Sequence, residues 1–105
     1  LYFFEAPIDL LSYISMHKEN WKDHSYAAAC GVSDHVLWQM MKDHPDINHV
    51  CLCFDNDEAG QTASQRIAAK LNARGITNEV LIPTHKDWNE DILHSREELC
   101  PTLQF

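Results

Sequence analysis

Nowhere in the 105 residues does an apolar run approach the roughly 20 positions needed to span a bilayer, so no membrane contact is expected. The opening Leu1-Tyr2-Phe3-Phe4 also lacks the basic lead-in of a signal peptide. Cys30, Cys51, Cys53 and Cys100 form no C-x-x-C pair, and two of them lie in an apolar run where thiols act as small hydrophobes; a reduced, cytoplasmic protein is the expectation. There is no internal repeat, low-complexity tract or Gly/Ser linker at which to divide the chain. Basic residues are scarce. Eight Lys and Arg face sixteen Asp and Glu, a formal charge of -8, so a nucleic acid would be repelled unless cations or a neighbouring domain intervene.

Apolar residues make up 45% and charged residues 23%, the balance of a chain that folds around a core. The length supports one core, and residues 1–105 are read as a single domain. Leu1 opens directly into an apolar run and Leu103-Gln104-Phe105 closes without a polar tail, which suggests a fragment of a larger protein.

Short apolar runs alternate with helix-like stretches, predicting an α/β fold of about four mainly parallel strands with helices packed on the sheet. Leu1 to Phe4 reads as the first strand, and Pro7 opens a helix carrying Ile8, Leu11 and Ile14 on one side. Tyr26 to Cys30 is a second strand ending at Gly31, with Ser33 capping a helix that bears Val36, Leu37, Met40 and Met41. His49 to Phe54 is a continuous apolar run suited to burial on both faces. Glu58 to Arg74 places Ala59, Ala63, Ile67 and Leu71 on one face, with Gly75 as the stop. A fourth strand is predicted over Glu79 to Pro83, then a polar loop, then a short helix after Glu90.

In open α/β sheets ligands bind beyond the carboxyl ends of the strands, and this chain puts its acids there. Glu5 ends the first strand, Asp55 and Asp57 follow the third, and Asp87 follows the fourth. Residues two apart in extended backbone point to one side, so Asp55 and Asp57 repel unless a cation or proton intervenes. Oxygen-only ligands favour Mg²⁺, with Mn²⁺ as a substitute, and Mg²⁺ recruits substrate phosphates. The helix opening at Glu58 aims free N–H groups at the same spot, and Ala59 and Gly60 leave room for an anion. The bland alternative is turn chemistry, in which these acids cap helix N-termini.

Phe4-Glu5-Ala6-Pro7-Ile8-Asp9, Ala29-Cys30-Gly31-Val32-Ser33 and Phe54-Asp55-Asn56-Asp57-Glu58-Ala59-Gly60 resemble the ordered motifs of the toprim family, shared by bacterial-type primases, topoisomerases, some nucleases and a recombination mediator. Lys86-Asp87-Trp88-Asn89-Glu90-Asp91 is similar to the segment after the last core strand in the primase-like branch, especially in toprim domains of bacterial conjugative and other mobile elements. The resemblance implies a compact Rossmann-like fold in which Glu5 is the general acid or base, and Glu5, Asp55, Asp57 and Asp87 hold Mg²⁺. Asp9, Lys86, Asn89 and Gly60 are then supporting residues. Ala6 stands where the family often has Gly, and Asn89 stands where the primase-like branch usually has a second acid. Asn89 offers a carbonyl oxygen without charge, which leaves open whether one cation binds or two.

The resemblance further implies Mg-dependent phosphoryl or nucleotidyl transfer on DNA or RNA, with nucleotide a possible ligand and other domains of the parent chain supplying the contacts that the acidic segment lacks. The competing readings are a non-catalytic toprim module that scaffolds a DNA-processing complex, and a phosphatase or phospho-receiver domain. Arg66, Lys70 and Arg74 form a basic stripe, read as a solvated helix face rather than a phosphate track. The seven histidines read as scattered surface residues, apart from His85 beside the acids, and Trp88 as an exposed contact.

Overall fold

Val50, Cys51, Leu52, Cys53 and Phe54 are all buried, which requires a strand covered on both faces. The computed structural model, which describes residues 1–29 and 34–99, supplies those covers. Its elements run β1 (Tyr2–Phe4), α1 (Pro7–Met16), a 3-10 turn (Trp21–Asp23), β2 (Tyr26–Ala28), α2 (His35–Asp43), β3 (His49–Cys53), α3 (Glu58–Ala73), β4 (Thr77–Val80) and α4 (Trp88–Leu99). The four strands form one parallel sheet in the order β2-β1-β3-β4.

Alternation along β3 sorts the core into two layers. Val50, Leu52 and Phe54 join Phe3, Leu37, Ala63, Ile67 and Leu71 on the side of α2 and α3. Cys51 and Cys53 join Phe4, Tyr13 and Trp88 on the side of α1 and α4. The result is a three-layer α/β sandwich.

The strand order also fixes where a ligand can bind. From β1 the chain moves outward to β2, and from β3 it moves the opposite way to β4. The carboxyl ends of β1 and β3 therefore flank the switch point where an open crevice forms. Phe4 pairs with Cys53 across the two strands, so Glu5 and Asp55 emerge side by side.

Five local expectations change. The inward face of α1 carries Asp9, Ser12 and Tyr13, whereas Ile8 and Leu11 are 56% and 59% exposed. Tyr13 packs on Phe4 and Trp88, and that aromatic contact sets the helix phase. On α2, Leu37 is buried but Val36 points outward; on α3, Gly60 and Ser64 face inward with Ala63, while Ala59 is exposed. Strand β4 begins two residues earlier than Glu79, because the ladder to β3 starts at His49 with Thr77. Its pairing ends after Leu81, whose N–H still donates to the Leu52 carbonyl at 2.9 Å; Ile82 turns outward and Pro83 has no N–H to continue the ladder. The last helix starts at Trp88 and runs 12 residues. Cys30, Gly31 and Ser33 lie outside the described residues.

The basic stripe is a solvent-exposed helix face, as expected, and its cations are engaged within the domain. Lys70 Nζ lies 2.8 Å and Arg66 Nη1 3.7 Å from Asp34 Oδ2, while the Arg74 guanidinium sits 4.2 Å over the Trp38 ring. Trp38 Nε1 donates to the same Asp34 oxygen at 2.8 Å. The Lys70 hydrogen bond holds the Asp34 carboxyl down at about 2 despite its burial. Asp34 thus clasps α3 to α2 through charge-assisted bonds.

Candidate metal centre

The Asp55-Asn56-Asp57 loop is tied down before any ligand arrives. Asn56 N–H donates to the Lys86 carbonyl at 2.6 Å and Asn56 Nδ2 to the Pro83 carbonyl at 3.1 Å. Gln61 Nε2 donates to the Asp55 carbonyl at 3.0 Å. A Cβ on Gly60 would lie 2.3 Å from that carbonyl oxygen, so the first turn of α3 presses directly on the Asp55 backbone. Gly60 serves this close approach. The space it vacates is filled by Asp55 rather than left for a phosphate.

Asp57 caps α3, its Oδ1 accepting from Gly60 N–H at 2.7 Å. The capping alternative therefore describes Asp57, and one of its oxygens is committed. Asp87 caps α4 in the same way, accepting from Glu90 N–H at 2.8 Å. Asp91 fixes the loop leading to it: its carboxylate accepts from Thr84 N–H at 2.9 Å and from His85 N–H at 2.7 Å, with His85 Nδ1 also at 2.7 Å. Burial opposes charge on Asp91, yet the His85 and Thr84 amides hold its carboxyl below the usual range. His85 is thereby turned toward Asp91 and stacked on His94 at 3.9 Å. Trp88, expected as an exposed contact, is buried and donates from Nε1 to the Cys53 carbonyl at 3.1 Å.

These supports deliver acids to the switch point from four segments. Asp9, Asp55 and Asp87 each offer an oxygen within 4.8 Å of the others. Glu5 lies at hydrogen-bonding range of Asp55 and raises its pKa. Desolvation comes first, then the Glu5 contact and the charges of Glu5, Asp87 and Asp57; together they push Asp55 up to about 7. Asp9 is pushed up to about 6, mainly by burial and then by Asp55 and Asp87, against the Asn89 N–H that donates to its Oδ1 at 3.3 Å. Glu5 Oε1 and Asp55 Oδ1 are buried with no hydrogen-bond partner.

Of the eight residues singled out in the sequence, the fold brings Glu5, Asp9, Asp55 and Asp87 together. Asp9 moves from a supporting place to the centre. Asn89 steadies it through the backbone, its own Oδ1 lying 3.3 Å from Ser12 Oγ. Lys86 contributes its carbonyl to Asn56, and its side chain is exposed. The part played by Asp91 was missed, although its position four residues beyond Asp87 in a predicted helix could have suggested a clamp.

A hard divalent cation fits this donor set, which is all oxygen, over-concentrated in negative charge, and holds two buried oxygens without partners. Among the described residues no helix is long and apolar enough to cross a membrane.

Comparison with known proteins points the same way. An uncharacterized protein of Bacillus anthracis is 36% identical over 74 residues, covering 64% of this chain and 21% of that protein, so the chain spans about a fifth of that relative's length. No solved structure matches. Residues 2–92, nearly the whole described chain, match the Toprim-like family. The chain belongs to that family, a metal-binding fold of nucleic-acid processing.

Proposed function

We propose that this chain is a single domain, residues 1–105, of a larger bacterial mobile-element or DNA-replication protein, and that it carries out Mg²⁺-dependent phosphoryl or nucleotidyl transfer on DNA or RNA in the cytoplasm. The observation that carries the reading is the pairing of Glu5 with Asp55 at the switch point, each with a buried oxygen that no protein group satisfies. Asp9, Asp55 and Asp87 would hold Mg²⁺, or Mn²⁺ in its place, with Asp57 contributing charge while it caps α3. When bound, the cation neutralises phosphate oxygens and stabilises the charge that develops during transfer. Glu5 moves the proton of the attacking or leaving hydroxyl, and Asn89, whose side chain lies against Ser12, keeps Asp9 in place through its N–H.

A net charge of -8 and a basic stripe spent on Asp34 and Trp38 favour nucleic-acid contacts made by other domains of the parent chain. The same observation supports a second reading, a non-catalytic toprim module that scaffolds a DNA-processing complex. The two separate on one experiment with the full-length parent protein, in which nucleotide incorporation and strand cleavage on single-stranded DNA are followed with Mg²⁺. Glu5→Gln is expected to lower turnover by about 10²–10⁴-fold while leaving DNA binding intact. Unchanged turnover in Glu5→Gln would remove Glu5 from the chemistry; no turnover in the wild-type protein, with DNA binding retained, would favour the scaffold.

A further inference from the structure

The opposite end of β3 carries a second donor cluster with a different chemistry. His49 and Cys51 are two apart on the strand and share a face, and Cys51 is paired in register with Glu79 on the edge strand β4. One ligating atom from each of the three lies within 4.8 Å of the other two. Cys51 Sγ is 3.2 Å and His49 Nε2 3.5 Å from Glu79 Oε1. A tetrahedral Zn²⁺ with bonds of about 2.3 Å to sulfur and about 2.0–2.1 Å to nitrogen and oxygen places nitrogen and oxygen about 3.3 Å apart and sulfur and oxygen about 3.6 Å apart. Both observed separations lie within a few tenths of an ångström of that spacing.

The imidazole is also set for it. Thr77 Oγ1 donates its hydrogen to the Asn48 carbonyl at 3.0 Å, so it must accept from His49 Nδ1 at 2.7 Å. In the neutral ring the proton is then on Nδ1 and the Nε2 lone pair faces a carboxylate oxygen. That arrangement calls for a positive charge between them. A ligating histidine is commonly fixed in this way by a hydrogen bond from its other nitrogen. His49 is at the surface, as expected, but it is grouped with Cys51 and Glu79 rather than isolated, and the His-x-Cys alternation within a strand was the signal for that grouping.

We propose that His49 Nε2, Cys51 Sγ and Glu79 Oε1 form a second metal site, specific for Zn²⁺ or a similar borderline-soft divalent ion and distinct from the oxygen site at the carboxyl end. The thiol proton is released to solvent when sulfur takes the cation, and the thiolate and carboxylate neutralise its two charges. Water takes the fourth position, since the side chains of His49 and Glu79 are 44% and 55% exposed at the sheet edge.

Co²⁺ titration of the 105-residue chain tests this, because cobalt bound to thiolate gives a charge-transfer band and tetrahedral d–d bands in the visible. Both are expected in the wild-type chain, to be displaced by Zn²⁺, to vanish in Cys51→Ser and His49→Asn, and to persist in Asp55→Asn. Thr77→Val, which leaves every ligand in place, should weaken binding by about 10–100-fold. The absence of a Cys51-dependent band at saturating Co²⁺ would overturn the site and leave His49 and Cys51 as hydrogen-bond partners of Glu79 only. A band that survives in His49→Asn, or is lost in Asp55→Asn, would overturn it equally.

Discussion

The two ends of β3 gather charged groups in opposite ways. At the carboxyl end, Glu5, Asp9, Asp55 and Asp87 are oxygen donors of one sign, partly desolvated, with two oxygens left unpaired. At the amino end, Glu79 accepts from the Cys51 thiol and faces His49, and these contacts lower its pKa. Burial and the Glu79 carboxylate push the Cys51 thiol up to about 11, so the proton there has a settled place. One end is held in repulsion by the scaffold, and the other is at rest. Crowded like charge is tolerated where a ligand relieves it, so in the absence of metal the acid end should destabilise the fold and the mixed end should not.

That contrast can be broken first at Gly60. Gly60→Ala drives a Cβ into the Asp55 carbonyl and is expected to cost about 1–3 kcal/mol in urea unfolding. It should also shift Asp55 and weaken Mg²⁺ binding while leaving the cobalt spectrum of the other end unchanged. Equal damage to both metal sites would mean that the two ends are not independent.

A smaller effect concerns pH. Asp55 and Asp9 have folded pKa values raised to about 7 and about 6 from an ordinary value of 3.8. The folded chain therefore binds more protons than the unfolded chain between those limits, and stability must fall as pH rises through them. In the presence of a chelator, the chain should lose on the order of 1–2 kcal/mol between about pH 5 and about pH 8, allowing for solvent screening at the partly exposed Asp55. Mg²⁺ should restore most of the loss at the higher pH, and Asp55→Asn should flatten the slope. Stability that rises over this range in chelator would contradict the repulsion.

The legible parts of the molecule were those whose cause is local. The run from Val50 to Phe54 can only be a strand buried on both faces, and Ala63, Ile67 and Leu71 recur at the spacing of one helix face. The location of Glu5 and Asp55 beyond the carboxyl ends of β1 and β3 was legible because each lies just past an apolar run. The phase of α1 was not legible. Ile8 and Leu11 look like an inward face, but the tertiary contact of Tyr13 with Phe4 and Trp88 turns Asp9 inward instead. That rotation is what brings a helical acid into a cluster otherwise built from residues that follow strands. The cap made by Asp57 is local and was among the sequence readings, whereas the clasp made by Asp34 depends on what packs alongside it, which spacing along the chain does not encode.

The central claim is that the acids at the switch point form one cation site. Isothermal titration of Mg²⁺ and Mn²⁺ into the chain, with Asp55→Asn and Asp9→Asn as comparisons, tests it most directly. The account predicts binding at millimolar metal that is abolished in Asp55→Asn and weakened in Asp9→Asn, the latter because Asp9 belongs to the cluster. No binding by the wild-type chain, or binding that is the same in all three proteins, would contradict it.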